Sequence, residues 1–142
     1  MSDPAESTRT VVIERVFPHP PEKVWRALTE SPLIAQWLLK NDFEPAVGRK
    51  FQFRSEPMQG WNGLIDCEVL VVDPLKRLSY SWGSLGLDSV VLFTLTPAKD
   101  GGTHVRMEHS GFRPEQQQAY GGAKYGWQNF FGRLDSVVGG LK

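Results

Sequence analysis

Cys67, Tyr80 and His109, with two further histidines at His19 and His104, are the side chains of this 142-residue chain with the most obvious scope for chemistry. A thiol becomes a nucleophile when a nearby cation or a helix N-terminus depresses its pKa. His109 could do this for Cys67 if the two strands that carry them bring them together; otherwise Cys67 packs as a small hydrophobe. His109 could equally anchor a ligand or act as a general base, or serve as a hydrogen-bonded histidine at a cavity rim. Tyr80 offers an aromatic wall with a hydroxyl that needs a partner when buried. A metal centre is not expected. His104 and His109 are five apart on one strand and so face opposite sides, and Cys67 with His109 would supply only two ligands.

Inward carboxylate pairs are also absent from the pattern. Glu108 has the opposite parity to His109, and Asp66 and Glu68 oppose Cys67. Glu14 and Arg15 occupy opposite faces of the first strand, so one of them could point inward and would then have to be paired. Lys and Arg are dispersed, and 16 of them balance 16 Asp and Glu, so there is no broad basic surface for nucleic acid or an anionic membrane. No glycine-rich phosphate loop follows a strand, and no cofactor is indicated.

Two periodicities position these residues. Thr10–Phe17 is rich in β-branched residues and reads as a strand, stopped by His19-Pro20-Pro21. Pro21–Glu30 reads as an amphipathic helix with proline at its first position and Val24, Ala27 and Leu28 on one face. Ser31-Pro32 repeats the start signal, with Ser31 as the cap, and Ile34, Trp37 and Leu38 form the apolar face of a second short helix. From Asn41 to Ser110 the period is 2. Phe51 and Phe53 share one parity, as do Ile65, Cys67, Val69 and Val71. Leu78, Tyr80 and Trp82 follow, then Val91, Phe93 and Leu95, then Val105, Met107 and His109. Turn residues separate these runs, which implies an antiparallel meander with one wet and one buried face. The stretch Cys67–Val72 is apolar on both parities near its end, which predicts a bulge. After Pro114 the period returns to 3.6: Tyr120, Ala123, Trp127, Phe130, Leu134, Val137 and Leu141 form a helical stripe. Gly121, Gly122, Gly126 and Gly132 would either permit close approach to the sheet or delay the helix until after Gly122.

These bounds give an α+β architecture: residues 1–9 as a disordered polar tail, and residues 10–142 as a single domain. One cysteine excludes an internal disulfide. There is no apolar stretch near 18 residues and no apolar core near the N-terminus, so a cytoplasmic location without a membrane span is expected. A sheet that curls around one helix about 10 Å wide leaves either a solid core or a gap. The candidates to line such a gap are Trp37, Phe53, Cys67, Val69, Tyr80, Trp82, Phe93, Met107, His109, Trp127 and Phe131. His109, Tyr80 and Trp82 would orient a ligand, and Trp127 and Phe131 would form the helix-side wall. The expected way in lies near residues 59–63 and 83–88.

The order of these motifs resembles the START-like helix-grip (SRPBCC) superfamily, most closely the family named after the activator of heat-shock protein 90 ATPase. The resemblance is carried by Pro20-Pro21-Glu22-Lys23-Val24-Trp25, Trp37, Gly48 before Phe51 and Phe53, Glu68 to Pro74, Arg77 to Trp82, Leu95-Thr96-Pro97, Gly102-Thr103 through Phe112, and Gly126-Trp127 with Leu134. It spans roughly residues 10–140. It implies a curved antiparallel sheet of six or seven strands gripping a long C-terminal helix, with a cavity between them. The function it implies is binding of a small hydrophobic or amphipathic ligand. Two alternatives are a co-chaperone-like protein-binding module with a chaperone partner and a polyketide cyclase or aromatase. The co-chaperones resembled carry a further N-terminal domain for which 142 residues leave no room, and the sparse inward polar set argues against a cyclase.

Overall fold

A computed structural model describes residues 9–57, 62–84 and 86–141. The expected tail (except Arg9) and Gln59, Gly60, Trp61 and Leu85 of the expected way in lie outside the described residues. Seven strands form one antiparallel sheet in the order β1-β7-β6-β5-β4-β3-β2. They are β1 (Arg9–Phe17), β2 (Lys40–Asn41), β3 (Lys50–Arg54), β4 (Leu64–Asp73), β5 (Arg77–Ser84), β6 (Leu87–Pro97) and β7 (Thr103–Phe112). Two short helices, α1 (Pro21–Thr29) and α2 (Ser31–Trp37), separate β1 from β2, and the long α3 (Gln117–Gly139) closes the chain. This is the helix-grip arrangement.

Alternation sets which residues enter the core. In β6, Leu87, Ser89, Val91, Phe93 and Leu95 are buried, and in β7 so are Thr103, Val105, Met107 and His109. In β1, Val11 and Phe17 are buried, and Arg15 shares their parity. Glu14 faces outward, where it meets Arg106 at 2.8 Å and His104 at 3.0 Å. The expected bulge lies in β4: the pairing with β5 shifts between Val69 and Val71, and Leu70 is left exposed.

Helix α1 starts at Pro21 as expected. Helix α2 starts one residue earlier than its signal implies, with Glu30 at the cap position. Ser31 does not cap it: its hydroxyl donates to the Asn41 carbonyl at 3.0 Å, and Asn41 Nδ2 donates back to the Ser31 carbonyl at 3.2 Å. That exchange ties the helix to β2, a strand too short to show a period.

Helix α3 begins at Gln117, before its glycines, so the late start is not observed. Neither is a close approach at Gly121 or Gly122, where an added Cβ would meet nothing within 4 Å. Gly111 is the glycine beside the site that geometry demands. Its φ is +106°, and a Cβ there would lie 2.8 Å from the Asp88 carbonyl oxygen.

The core is solid under the second half of α3, where Trp127, Phe131, Leu134 and Val138 are buried. Toward β3 an aromatic cluster continues it, with Phe43–Phe51 at 5.1 Å, Phe51–Tyr80 at 5.4 Å, Tyr80–Phe93 at 6.1 Å and Trp37–Phe93 at 6.2 Å between ring centroids. Most of these pairs are edge-on or tilted, the arrangement that aromatic quadrupoles favour.

Candidate functional site: a cleft beneath the first half of the long helix

The two halves of α3 differ. From Gln117 to Gly126 no residue is buried, and burial begins at Trp127. The face turned to the sheet carries Ala119, Gly122, Ala123 and Gly126, spaced i, i+3, i+4 and i+7. These side chains are too short to reach across. Opposite stand Ile65 of β4, Trp82 of β5 and Leu87 of β6, and between the two walls lies a cleft of about 310 Å³. It is open to solvent and meets a wider groove, about 1050 Å³, that runs past Ser84 to Pro114 and the first turn of α3. Ile65 and Leu87 are buried, whereas Trp82 is half-buried.

The cleft ends on His109, whose two ring nitrogens are both engaged. Trp127 Nε1–H donates to His109 Nδ1 at 3.0 Å. An indole nitrogen can only donate, so Nδ1 is unprotonated and the proton sits on Nε2. Nε2–H then donates to Ser89 Oγ at 2.8 Å, and the Ser89 hydroxyl donates to the Trp82 carbonyl at 2.7 Å. The chain of bonds runs from α3 through β7 and β6 to β5. Burial lowers the His109 pKa from 6.5 to about 4. The neutral ring is packed by Phe112 at 4.7 Å and Trp82 at 5.4 Å. A neutral imidazole with both nitrogens committed has no free site for general acid or base work.

Three of the residues singled out from sequence, Trp82, His109 and Trp127, line this cleft together. Phe53 backs Trp82 at 5.3 Å and Phe93 backs Trp127 at 5.9 Å. Trp37, Cys67, Val69, Tyr80, Met107 and Phe131 are buried in the packed interior, away from the cleft wall. Tyr80, expected to orient a ligand, lies among Phe43, Phe51, Phe53 and Phe93 instead. The Cys67–His109 pair does not form, because β5 and β6 stand between their strands. Burial, with Asp66 and Asp42 adding to it, pushes the Cys67 thiol far up, so no thiolate is available at neutral pH. Among the described residues no group of three His, Cys, Asp or Glu side chains converges to hold a metal.

Sequence reasoning missed Leu39, Ser55, Ile65, Leu87 and Phe130 on the cleft walls, as well as the small residues of α3. The glycines and alanines did leave a signal: their helical spacing marks one face on which nothing is large enough to pack.

A curved seven-stranded sheet holding a long helix, with a pocket under one end of that helix, defines the helix-grip class. Residues 18–139 match the family described as activator of Hsp90 ATPase homolog 1-like protein, and the chain belongs to that family. No curated protein matches it. Among solved structures, protein MLL2253 from Mesorhizobium loti is 54% identical over 94% of this chain and 99% of its own, with a TM-score of 0.88. Protein BH1534 from Bacillus halodurans is 27% identical over 92% of this chain and 96% of its own, with a TM-score of 0.78. DynU16, a protein of the dynemicin biosynthetic locus, is 26% identical over 92% of this chain but only 47% of its own, with a TM-score of 0.76.

Proposed function

We propose that this protein binds a small hydrophobic or amphipathic molecule in the cleft between α3 and strands β4 to β6, without catalysing a reaction on it. The observation that carries this reading is the half-buried Trp82 indole facing a row of alanine and glycine across about 310 Å³. A large aromatic ring left partly wet beside a gap is stabilised when an apolar guest displaces the water. A ring system the size of an indole buries roughly 200 Å², and at about 25 cal/mol per Å² this yields about 5 kcal/mol. The cost of association is subtracted from that figure, so simple ligands bind weakly and a well-fitted one gains from its additional contacts.

The likeness to DynU16 brings a biosynthetic role into view, and an enzyme would need a free acid or base at the cleft. His109 has neither, which favours carriage over turnover. A co-chaperone role would use the outer surface and would not depend on the cleft.

Native mass spectrometry of gently purified protein tests the reading. The expected result is a co-purifying small molecule that is lost in Gly122→Leu, a variant that fills the gap from the helix side. A Gly122→Leu protein that retains the adduct would overturn it.

A further inference from the structure

Among the described residues, the walls of the cleft carry no Asp, Glu, Lys or Arg. The side-chain polar groups on them are His109, Ser55 and the indole N–H groups of Trp82 and Trp127. His109 is spent on Trp127 and Ser89, which also engages the Trp127 N–H. Ser55 is half-buried. Its backbone N–H is bonded to the Gly63 carbonyl at 2.8 Å, while its hydroxyl has no partner among the described residues. Ser84 and Ser89, by contrast, spend their hydroxyls on the Leu64 and Trp82 carbonyls.

A charged group seated at the inner end of this space would lose part of its water and find no counter-charge among the described lining residues, a cost that works against ring burial. A neutral group that can accept or donate one hydrogen bond finds Ser55. The two facing walls also differ in kind: the Trp82 indole is flat and rigid, and the helix face opposite is stripped to Cα and Cβ atoms. That makes a slot suited to a ring rather than to a branched group.

Resting on the binding role proposed above, we infer that the cleft selects an uncharged, ring-bearing molecule whose single buried hydroxyl or carbonyl bonds to the Ser55 hydroxyl while the ring lies against Trp82.

The test compares four probes on the full-length protein: 2-naphthol, naphthalene, 2-naphthoate and 1-octanol. Binding is followed through the indole N–H resonances of Trp82 and Trp127. The wild-type protein is expected to bind 2-naphthol about five-fold more tightly than naphthalene, the worth of one net neutral hydrogen bond, and at least ten-fold more tightly than 2-naphthoate. In Ser55→Ala the 2-naphthol advantage should vanish while naphthalene affinity stays the same. The probe comparison on wild-type protein stands by itself if that variant folds poorly. Equal or tighter binding of 2-naphthoate would overturn the inference, as would a 2-naphthol advantage that survives Ser55→Ala. If 1-octanol binds and no ring probe does, the ring selection is wrong while the carrier role survives. If none of the four moves either indole resonance, the cleft is not a binding site and both readings fall.

Discussion

Lowering the pH should unfold this protein through His109 in particular, and the size of the effect follows from its surroundings. In the folded chain the ring is buried, accepts from Trp127 and donates to Ser89, and its pKa is lowered to about 4. In the unfolded chain it returns to about 6.5. Above pH 6.5 both states are neutral at this site, and its contribution to stability is fully present. Between 6.5 and 4 the unfolded state takes up a proton that the folded state refuses, so stability falls as pH falls. Below about 4 the loss is complete. A gap of about 2.5 pH units at about 1.4 kcal/mol each amounts to about 3–4 kcal/mol. The assay is urea unfolding from pH 7.5 to 3.5 on wild-type protein and on His109→Gln, whose amide can still accept and donate without titrating. The other titrating groups are common to both proteins and cancel in the difference. The wild-type curve should fall more steeply across this window, with about 3–4 kcal/mol of excess loss. Parallel curves would refute the reasoning, as would an NMR tautomer with the proton on Nδ1.

Trp127→Phe keeps the ring but removes the donor to His109 Nδ1, so the histidine should titrate closer to neutrality, read by its ring-carbon proton shifts. Gly122→Leu should abolish ligand uptake at least ten-fold yet unfold no more easily than wild type, because leucine raises helix propensity by nearly 1 kcal/mol over glycine and has open space to occupy; both are measurable in one thermal-shift experiment. Phe93→Ala, deep in the core, should cost about 3–5 kcal/mol in urea unfolding. Cys67 should resist iodoacetamide in native protein at pH 8 and react only after denaturation, as followed by mass spectrometry.

Most of the architecture was legible because period and burial are local. Val91, Phe93 and Leu95 alternate, and the sheet follows; Val69 and Leu70 break the alternation, and the bulge sits there. What failed to show was anything set by contacts distant in sequence. Parity alone placed His109 on the inner face, but the bond to Trp127 depends on where α3 crosses the sheet. The same crossing decides that Trp82 lines a cleft while Tyr80, two residues away, is walled in by Phe43, Phe51, Phe53 and Phe93. Ser55 lies beyond the end of β3 with no periodic pattern to mark it, and β2 is too brief to have one.

The uneven load along α3 separates two tasks that a single helix usually combines. Its second half, from Trp127 to Val138, buries four side chains and secures the molecule; its first half rests on the core more lightly, through Tyr120 against Phe112 and through Ala123. Under the binding role proposed above, selectivity would be set at Ala119, Gly122, Ala123 and Gly126, positions that can be enlarged, reshaped or charged while the anchoring half is left untouched. An engineer wanting a new sensor from this scaffold would begin at that end.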